Sequence, residues 1–315
     1  MERRHAHESN VTEFVLLGFP TSPGFQYVLF FFFLVAYLVT LVENLIIIIV
    51  IRLNAGLQRP MYHFLASLSV LEICYVTVTI PNLLANFLRE DKTITFRSCM
   101  AQLYIFISLA CTECILLAVM AFDRCVAICN PLRYPSIMSI TLCLRLSAGS
   151  FIGGFSIALI KVAFISSLTF CGPNVLNHFF CDISPILNLS CTDMSVAELV
   201  DFILAIAVIL IPLLLIIISY FMIIIAVLRI PEPGGRWKAF STCASHLTVV
   251  IIFYATTLFI YARPRKLSSS ESGKLVCVLY SVITPLLNPL IYCLRNNEMK
   301  QALKKTKQMT GAEGF

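Results

Sequence analysis

The feature that most constrains this chain is a series of apolar runs, each long enough to cross a lipid bilayer, separated by short polar stretches. A helix crossing a hydrocarbon core of about 30 Å needs about 20 mostly apolar residues. Hydrocarbon offers no water to backbone N–H and C=O groups, so such a run must close its hydrogen bonds within itself. Windows of this kind fall near residues 26–51, 61–86, 99–123, 141–165, 199–228, 239–262 and 274–294. They predict an all-α bundle of seven transmembrane helices. Composition argues against a soluble domain, because 59% of the 315 residues are hydrophobic and only 13% are charged, more apolar surface than one water-soluble core buries. A net charge of +6 does not point to nucleic acid, since Lys and Arg sit in short clusters between the apolar runs rather than on one surface.

Residues 1–25 read as an extracellular segment, 26–294 as the membrane domain, and 295–315 as a cytoplasmic tail that forms a short amphipathic C-terminal helix. Met1 to Phe25 are polar or mixed, without the pattern of a cleaved secretory signal, so the first span is expected to act as the targeting signal. Pro231, Pro233, Gly234 and Gly235 predict a tight turn that makes the fifth and sixth helices antiparallel neighbours. The one long loop runs from about Ser166 to Glu198, and a Ser-rich patch at Ser268–Ser270 reads as loop.

Orientation follows from the cations beside the first span. Arg52 and Arg59 lie immediately after it and Arg3 and Arg4 far before it, which puts the N-terminus outside. Lys300, Lys304, Lys305 and Lys307 then fall on the cytoplasmic side, while Arg89, Lys92, Arg97, Arg263, Arg265 and Lys266 blur the signal outside. Sequons at Asn10 and Asn188 both land outside, where glycosylation is expected. Of thirteen cysteines, Cys99, Cys171, Cys181 and Cys191 lie in that oxidising compartment, an even number with three pairings open.

Glu43, Glu72 and Glu113 fall within predicted spans, where a carboxylate is expensive and usually functional. Glu72 and Glu113 each lie about 15 Å along their helices from the cytoplasmic ends at 1.5 Å per residue, and so at similar depth. With Asn44 and Asn288 they are candidates for a polar cluster that binds Na+ or shares a proton, against the plainer alternative of protonated, hydrogen-bonded side chains. Lys161, near the outer end of the fourth span, is explained by snorkelling to the interface.

Met120-Ala121-Phe122-Asp123-Arg124-Cys125-Val126-Ala127-Ile128-Cys129 closes the third span, and its Asp-Arg pair resembles the ionic switch of rhodopsin-like receptors. Lys238-Ala239-Phe240-Ser241-Thr242-Cys243-Ala244-Ser245-His246-Leu247, Pro60-Met61-Tyr62 and the run from Pro285 to Tyr292 extend the resemblance, as do the loop cysteines. On these motifs, which span nearly the whole chain, the protein is identified as a member of the vertebrate odorant receptor family of G-protein-coupled receptors. The resemblance implies disulfides Cys99–Cys181 and Cys171–Cys191. It also implies a G-protein switch of Asp123, Arg124, Tyr220, His246, Asn288, Pro289 and Tyr292, with Asp123 holding Arg124 at rest and releasing it on activation. Three residues depart from the family pattern: Glu43 stands where Gly precedes Asn, Cys125 where Tyr follows Arg, and His63 where Phe is usual.

By the same resemblance, the ligand is held among helices three, five and six under the long loop. The expected contacts are Phe106, Ile107, Ala110 and Cys111 on the third span, Ile183 in the loop, Leu204, Ala205 and Val208 on the fifth, and Tyr254, Thr257, Leu258 and Tyr261 on the sixth. This apolar set with a few hydroxyls suits a small, neutral, volatile odorant, and the resemblance further implies a stimulatory G protein that raises cAMP. The expected partners are therefore the odorant, a heterotrimeric G protein and membrane lipid, with no nucleic acid and no cofactor apart from Na+ or a proton at Glu72 and Glu113. An amine receptor would place a carboxylate where Phe106 stands, and the usual sixth-helix Trp is missing because the single Trp is Trp237. A transporter would show inverted repeats with broken helices, and an enzyme a catalytic constellation; the sequence has neither.

Overall fold

Each predicted apolar run is a helix that overruns its hydropathy window by a few residues at one or both ends, because hydropathy marks the hydrocarbon while the helix continues into the polar interface. The structure, a computed structural model, describes residues 11–171, 173–192, 194–231, 233–261, 271–295 and 297–312, with backbone alone at 233, 238–239, 241–242, 260–261, 271–272, 293–295, 297 and 307–312. The seven spans are Pro23–Leu53, Pro60–Leu88, Phe96–Cys129, Ile140–Ser166, Ser195–Leu228, Pro233–Tyr261 and a seventh of Glu271–Val278, a π-helical turn Leu279–Ile283, and Thr284–Arg295. Six are long and apolar enough to cross a membrane, and the sixth span carries a shorter apolar stretch, Cys243–Phe259. The turn expected at 231–235 is tighter than predicted, because the sixth helix begins at Pro233 and takes both glycines into its first turn. Proline is suited to that position, where its missing N–H has no intrahelical partner to lose. Thr95 and Ser139 cap the third and fourth helices, each accepting a backbone N–H at 3.3 Å from Ser98 and Leu142.

The third span is the axis of the bundle: 72% of its most apolar stretch is buried, against 33% for the first, fourth and fifth spans, which turn most of theirs to lipid. Its closest neighbour is the fourth span, through a stripe of small buried residues, Ser150, Gly154 and Ala158, at four-residue spacing. A Cβ on Gly154 would stand 2.7 Å from both the Ser108 carbonyl oxygen and the Thr112 nitrogen of the third span. Hydroxyls on both sides fold back onto their own helices, Ser108 to Tyr104, Thr112 to Ser108 and Ser150 to Leu146, so the small residues meet without unpaired polar groups. Close backbone approach of this kind replaces hydrophobic drive where the solvent is itself apolar.

Both disulfides lie at one end of the bundle, Cys99–Cys181 tying the start of the third span to the long loop and Cys171–Cys191 bracing the loop internally, with Cα separations of 5.5 and 5.6 Å. Disulfides persist in oxidising compartments, so this end is the outer one. There the N-terminal segment does something hydropathy does not foresee. Strand β1 (Glu13–Leu16) pairs antiparallel with β2 (Thr93–Thr95) and parallel with β3 (Val175–Leu176), making a three-stranded cap of order β2-β1-β3. Phe14 and Leu16 on β1 are fully buried beneath it. Gly18, at φ 61°, turns the chain so that its N–H donates to the His178 carbonyl and its own carbonyl accepts from Lys274 of the seventh span, at 3.0 and 2.8 Å.

At the other end, the predicted tail helix, Asn297–Ala312, buries Met299 and Ala302 against the bundle. Glu298 accepts from Tyr62 at 2.8 Å and pairs with Arg59 at 3.1 Å, and Asn54 donates to Thr306 at 3.1 Å, so the tail is fastened to the turn between the first two spans.

Gly154→Val is expected to lower the fraction of chain reaching the cell surface several-fold, because the third and fourth helices must separate to admit the side chain. Gly149→Ala, with nothing within 4 Å of its added Cβ, is expected to leave surface level unchanged when both are read by antibody against an N-terminal tag.

Candidate functional site

A cavity of about 380 Å³ opens in the outer half of the bundle beneath the long loop, within the size range of small-ligand sites. An aromatic cluster borders it: the Phe106 ring, on the wall with Tyr75 and Tyr280, lies 4.6 Å from Phe180 of the loop, 5.0 Å from Tyr75 and 5.7 Å from Tyr280. The roof is held by the Cys99–Cys181 bond and by Gln102, which accepts from the Cys181 N–H at 3.1 Å and donates to the Val78 carbonyl at 2.9 Å. One side chain therefore joins the second span, the third span and the loop.

Eight of the residues expected to meet a ligand stand on the cavity wall: Phe106, Ile107, Ala110, Cys111, Ile183, Ala205, Val208 and Thr257. Leu204 and Tyr254 are not on it, the Tyr254 hydroxyl being buried without a hydrogen-bond partner, and Leu258 is exposed on the outside of the bundle. The Tyr261 side chain lies outside the described residues. Asn188 is exposed at the edge of the cavity, and Asn10 lies outside the described residues.

The wall also carries polar groups that the apolar reading of this region missed. Lys161 does not snorkel: its side chain is 2% exposed, and Nζ donates to Asp201 of the fifth span at 2.8 Å. A signal was available in the sequence, since Lys161 is five residues from the helix end at Ser166 and Asp201 six from the start at Ser195, two opposite charges at matching depth in apolar runs. Glu198, His178, Asp182, Cys277 and Tyr280 complete the polar wall, so the seventh span is a face of the cavity that the resemblance had not included. Burial pushes the His178 imidazole down to about 3, against the pull of its hydrogen bond to Phe180 and with the Lys274 charge adding to the fall, so the ring is neutral at physiological pH. Burial, with the Asp201 charge adding, raises Asp182 to about 6 against the opposing hydrogen bond from the Ile183 N–H.

Deeper in the bundle, the Asn288 amide donates to Glu72, joining the seventh and second spans. Glu113 is buried with Oε1 unpartnered, and Asn288 Oδ1 is likewise buried without a partner. Asn44 turns instead to the Thr40 carbonyl of its own helix at 2.9 Å. Among the three departures, the half-buried Glu43 leaves Oε2 without a partner, as does Nε2 of His63, and Cys125 lies 3.8 Å from Cys129 at the sulfurs, packed with Ile223 and Cys243.

The cytoplasmic switch residues form a different set of contacts from the one expected. Asp123 does not hold Arg124: its buried carboxylate accepts from the Tyr134 hydroxyl at 2.8 Å, and the ion pairs among the described residues are Arg59–Glu298 and Lys161–Asp201. Adjacent positions on a helix point about 100° apart, which leaves Asp123 turned to the loop helix Tyr134–Ile137 and Arg124 half-exposed. The tighter latch is at His246, whose Nδ1 lies 2.7 Å from the Tyr220 hydroxyl and whose Nε2 lies 3.2 Å from the Leu117 carbonyl. A carbonyl only accepts, so Nε2 carries the proton and Nδ1 accepts from Tyr220, linking the third, fifth and sixth spans. Tyr292 and Pro289 are buried nearby in the seventh span, the Tyr292 hydroxyl without a partner.

Residues 33–309 match a family model described as olfactory receptor. The chain is 59% identical over 310 residues to olfactory receptor 226 of Rattus norvegicus, covering 97% of this chain and 94% of the relative. It is 60% identical to human olfactory receptor 6A2 over 307 residues (96% and 94%) and 60% identical to human olfactory receptor 6B3 over 302 (96% and 91%).

The Lys161–Asp201 pair should behave asymmetrically. Asp201→Leu removes the carboxylate to which the buried Lys161 ammonium donates and is expected to cost about 3–5 kcal/mol of stability. Lys161→Met leaves a carboxylate that still reaches water and should cost less. Combining Lys161→Met with Asp201→Leu should recover most of the loss, read as melting temperature of detergent-purified protein.

Proposed function

The chain belongs to the olfactory receptor family, and from that premise we propose that it binds a small, mostly apolar volatile molecule in the outer cavity and activates a stimulatory G protein that raises cAMP. The observation that carries the ligand half of this reading is the cavity itself: lined by Phe106, Tyr75 and Tyr280 among apolar residues, lidded by a disulfide-tethered loop, and of a size for one small molecule. The wall is mostly apolar, with its polar points at Lys161, paired with Asp201, and at Asp182 and Glu198. That favours a neutral ligand with one polar end, whose apolar remainder packs on Phe106, Ile107 and Val208.

The G-protein half rests on the cytoplasmic latch. Opening a cleft at that face requires the sixth span to leave the third and fifth, and the contacts that resist include the two hydrogen bonds of His246 and the approach of the Tyr220 hydroxyl to the Cys243 carbonyl at 3.4 Å. A bundle held this way has two discrete arrangements rather than a continuum, which is what a ligand needs to bias. In the active arrangement Arg124, already unpaired from Asp123, meets the G protein, while Tyr220 and Tyr292 close around the vacated space. The domain reading stands as part of the proposal, with 1–25 outside, 26–294 as the seven-transmembrane receptor domain and 295–315 as the cytoplasmic tail. Glu72 and Glu113 take a proton or Na+, which supplies the unpartnered Glu113 and Asn288 oxygens with the positive charge or donor they lack.

A panel of neutral volatile compounds applied to cells expressing the chain, read as cAMP, tests the function; no response across the panel at confirmed surface level would count against it. Arg124→Ala is expected to abolish ligand-stimulated cAMP at matched surface level, and full signalling by that variant would overturn the mechanism. Full signalling by Arg124→Lys would reduce the residue to an interfacial anchor. Tyr220→Phe removes the donor to His246 and should raise ligand-independent cAMP if the latch holds the resting state.

A further inference from the structure

We propose that a crevice between the second and third spans, in the outer half of the bundle and separate from the ligand cavity, binds one sterol molecule of the outer leaflet. The crevice holds about 490 Å³. Its walls are Val78 and Asn82 of the second span, Ser98, Gln102 and Ile105 of the third, and strand β2 above them. Spacings of three and four put each set on one face of its helix, so two helical faces meet across the gap. None of these residues lines the ligand cavity. Ile105 lies within a membrane span and is 37% exposed, so the crevice opens sideways to lipid.

The lining is graded with depth. At the rim stand hydroxyls, Thr93, Thr95 and Ser98, the last two hydrogen-bonded to each other at 2.8 Å. Asn82 and Gln102 come next, each six residues from the outer end of its helix, or about 9 Å at 1.5 Å per residue. Val78 and Ile105 lie deepest, about 15 and 13 Å from those ends. The second span, 29 residues and about 43 Å long, overruns a hydrocarbon core of about 30 Å by about 6 Å at each end. The two amides therefore sit just inside the hydrocarbon boundary, the level at which an amphiphile with one small polar end places that end.

The amides differ in what they lack. Gln102 is committed, donating to the Val78 carbonyl and accepting from the Cys181 N–H. Asn82 Nδ2 is buried with no hydrogen-bond partner among the described residues. An unmet donor at this depth is costly, because lipid tails cannot supply an acceptor. The last torsion of an Asn side chain is broad, so rotation about it turns the donor to the crevice. What satisfies it there is an oxygen carried into the leaflet on an apolar body. A sterol hydroxyl accepts from Asn82 and donates in turn to an oxygen of the rim, while the rings beside it pack on Val78 and Ile105. A phospholipid fits less well, since its phosphate seeks cations and no lining residue is charged. Because Gln102 also tethers the loop at Cys181, an occupant of the crevice buttresses the lid of the ligand cavity from the lipid side.

The test places the full-length chain in phosphatidylcholine nanodiscs with a cholesterol analogue that carries a photoreactive diazirine on its rings, and maps the adducts by peptide mass spectrometry. Adducts are expected in segments 78–82 and 98–105, suppressed by excess cholesterol and much less by its 3α-hydroxy epimer, which keeps the apolar body and turns the hydroxyl. Asn82→Leu is expected to lower this labelling about fivefold, the worth of one hydrogen bond. Ile152→Ala, on the lipid-facing side of the fourth span, should leave it unchanged. No adduct at the crevice in the unmodified chain overturns the proposal, as does undiminished labelling of Asn82→Leu. Adducts spread evenly over the lipid-facing helices mean a lipid annulus only and overturn it too. Should Asn82→Leu fail to fold, the epimers decide on the unmodified chain: equal competition by the two rules out recognition of the hydroxyl. None of these readouts depends on an odorant or a G protein.

Discussion

Hydrocarbon cannot hydrogen-bond, and nearly every feature of this bundle follows from that constraint. It forces each span to be a helix, and it makes every buried side-chain polar group seek a partner inside the protein. Hydroxyls on the third and fourth spans bond back to their own carbonyls, which frees the face between them to be built of small residues in direct contact. Groups with no local answer reach across helices. Asn288 reaches Glu72, Lys161 reaches Asp201, and His246 reaches both Leu117 and Tyr220. The third span, the most buried of the apolar spans, supplies the Leu117 carbonyl to this set.

The two ends of the bundle meet the constraint differently. Outside, a loop, an N-terminal strand and two disulfides make a cap whose backbone is satisfied by a small sheet, and the cap holds polar side chains beside the aromatic residues of the cavity wall. The result is a rigid enclosure with a few fixed polar points, the arrangement that confers selectivity on a small ligand at low ordering cost. At the cytoplasmic end the sixth span is linked to the third and fifth by single hydrogen bonds, each worth about 1 kcal/mol net. A bundle stapled outside and latched inside is stiff where it must recognise and loose where it must move.

The departures from the family pattern fall on this division in an instructive way. His63 and Cys125 both lie at the looser cytoplasmic end, where Cys125 packs into a small cluster with Ile223 and Cys243. Glu43 is half-buried in the first span, with one oxygen lacking a partner. None touches the outer cavity or the third–fourth helix seam, so the recognition scaffold is independent of them.

The sequence by itself determined the number of spans, their order and orientation, the tail helix and the family, because hydropathy, charge bias and contiguous motifs are properties of single segments. A 3.6-residue period also marked residues that share a face of the third and fifth spans, and most of those named line the outer cavity. What it could not carry was which segments meet. The strand pairing of the N-terminal segment with two distant loops, the Lys161–Asp201 bond, the third wall of the cavity on the seventh span, and the turning of Asp123 to Tyr134 rather than to Arg124 are all decided by contacts far apart in the chain. In a membrane this gap has a definite cause. An apolar side chain is equally well placed against lipid or against another helix, so hydrophobicity ceases to say which face points inward, and only packing shape and the pairing of the few polar groups decide it.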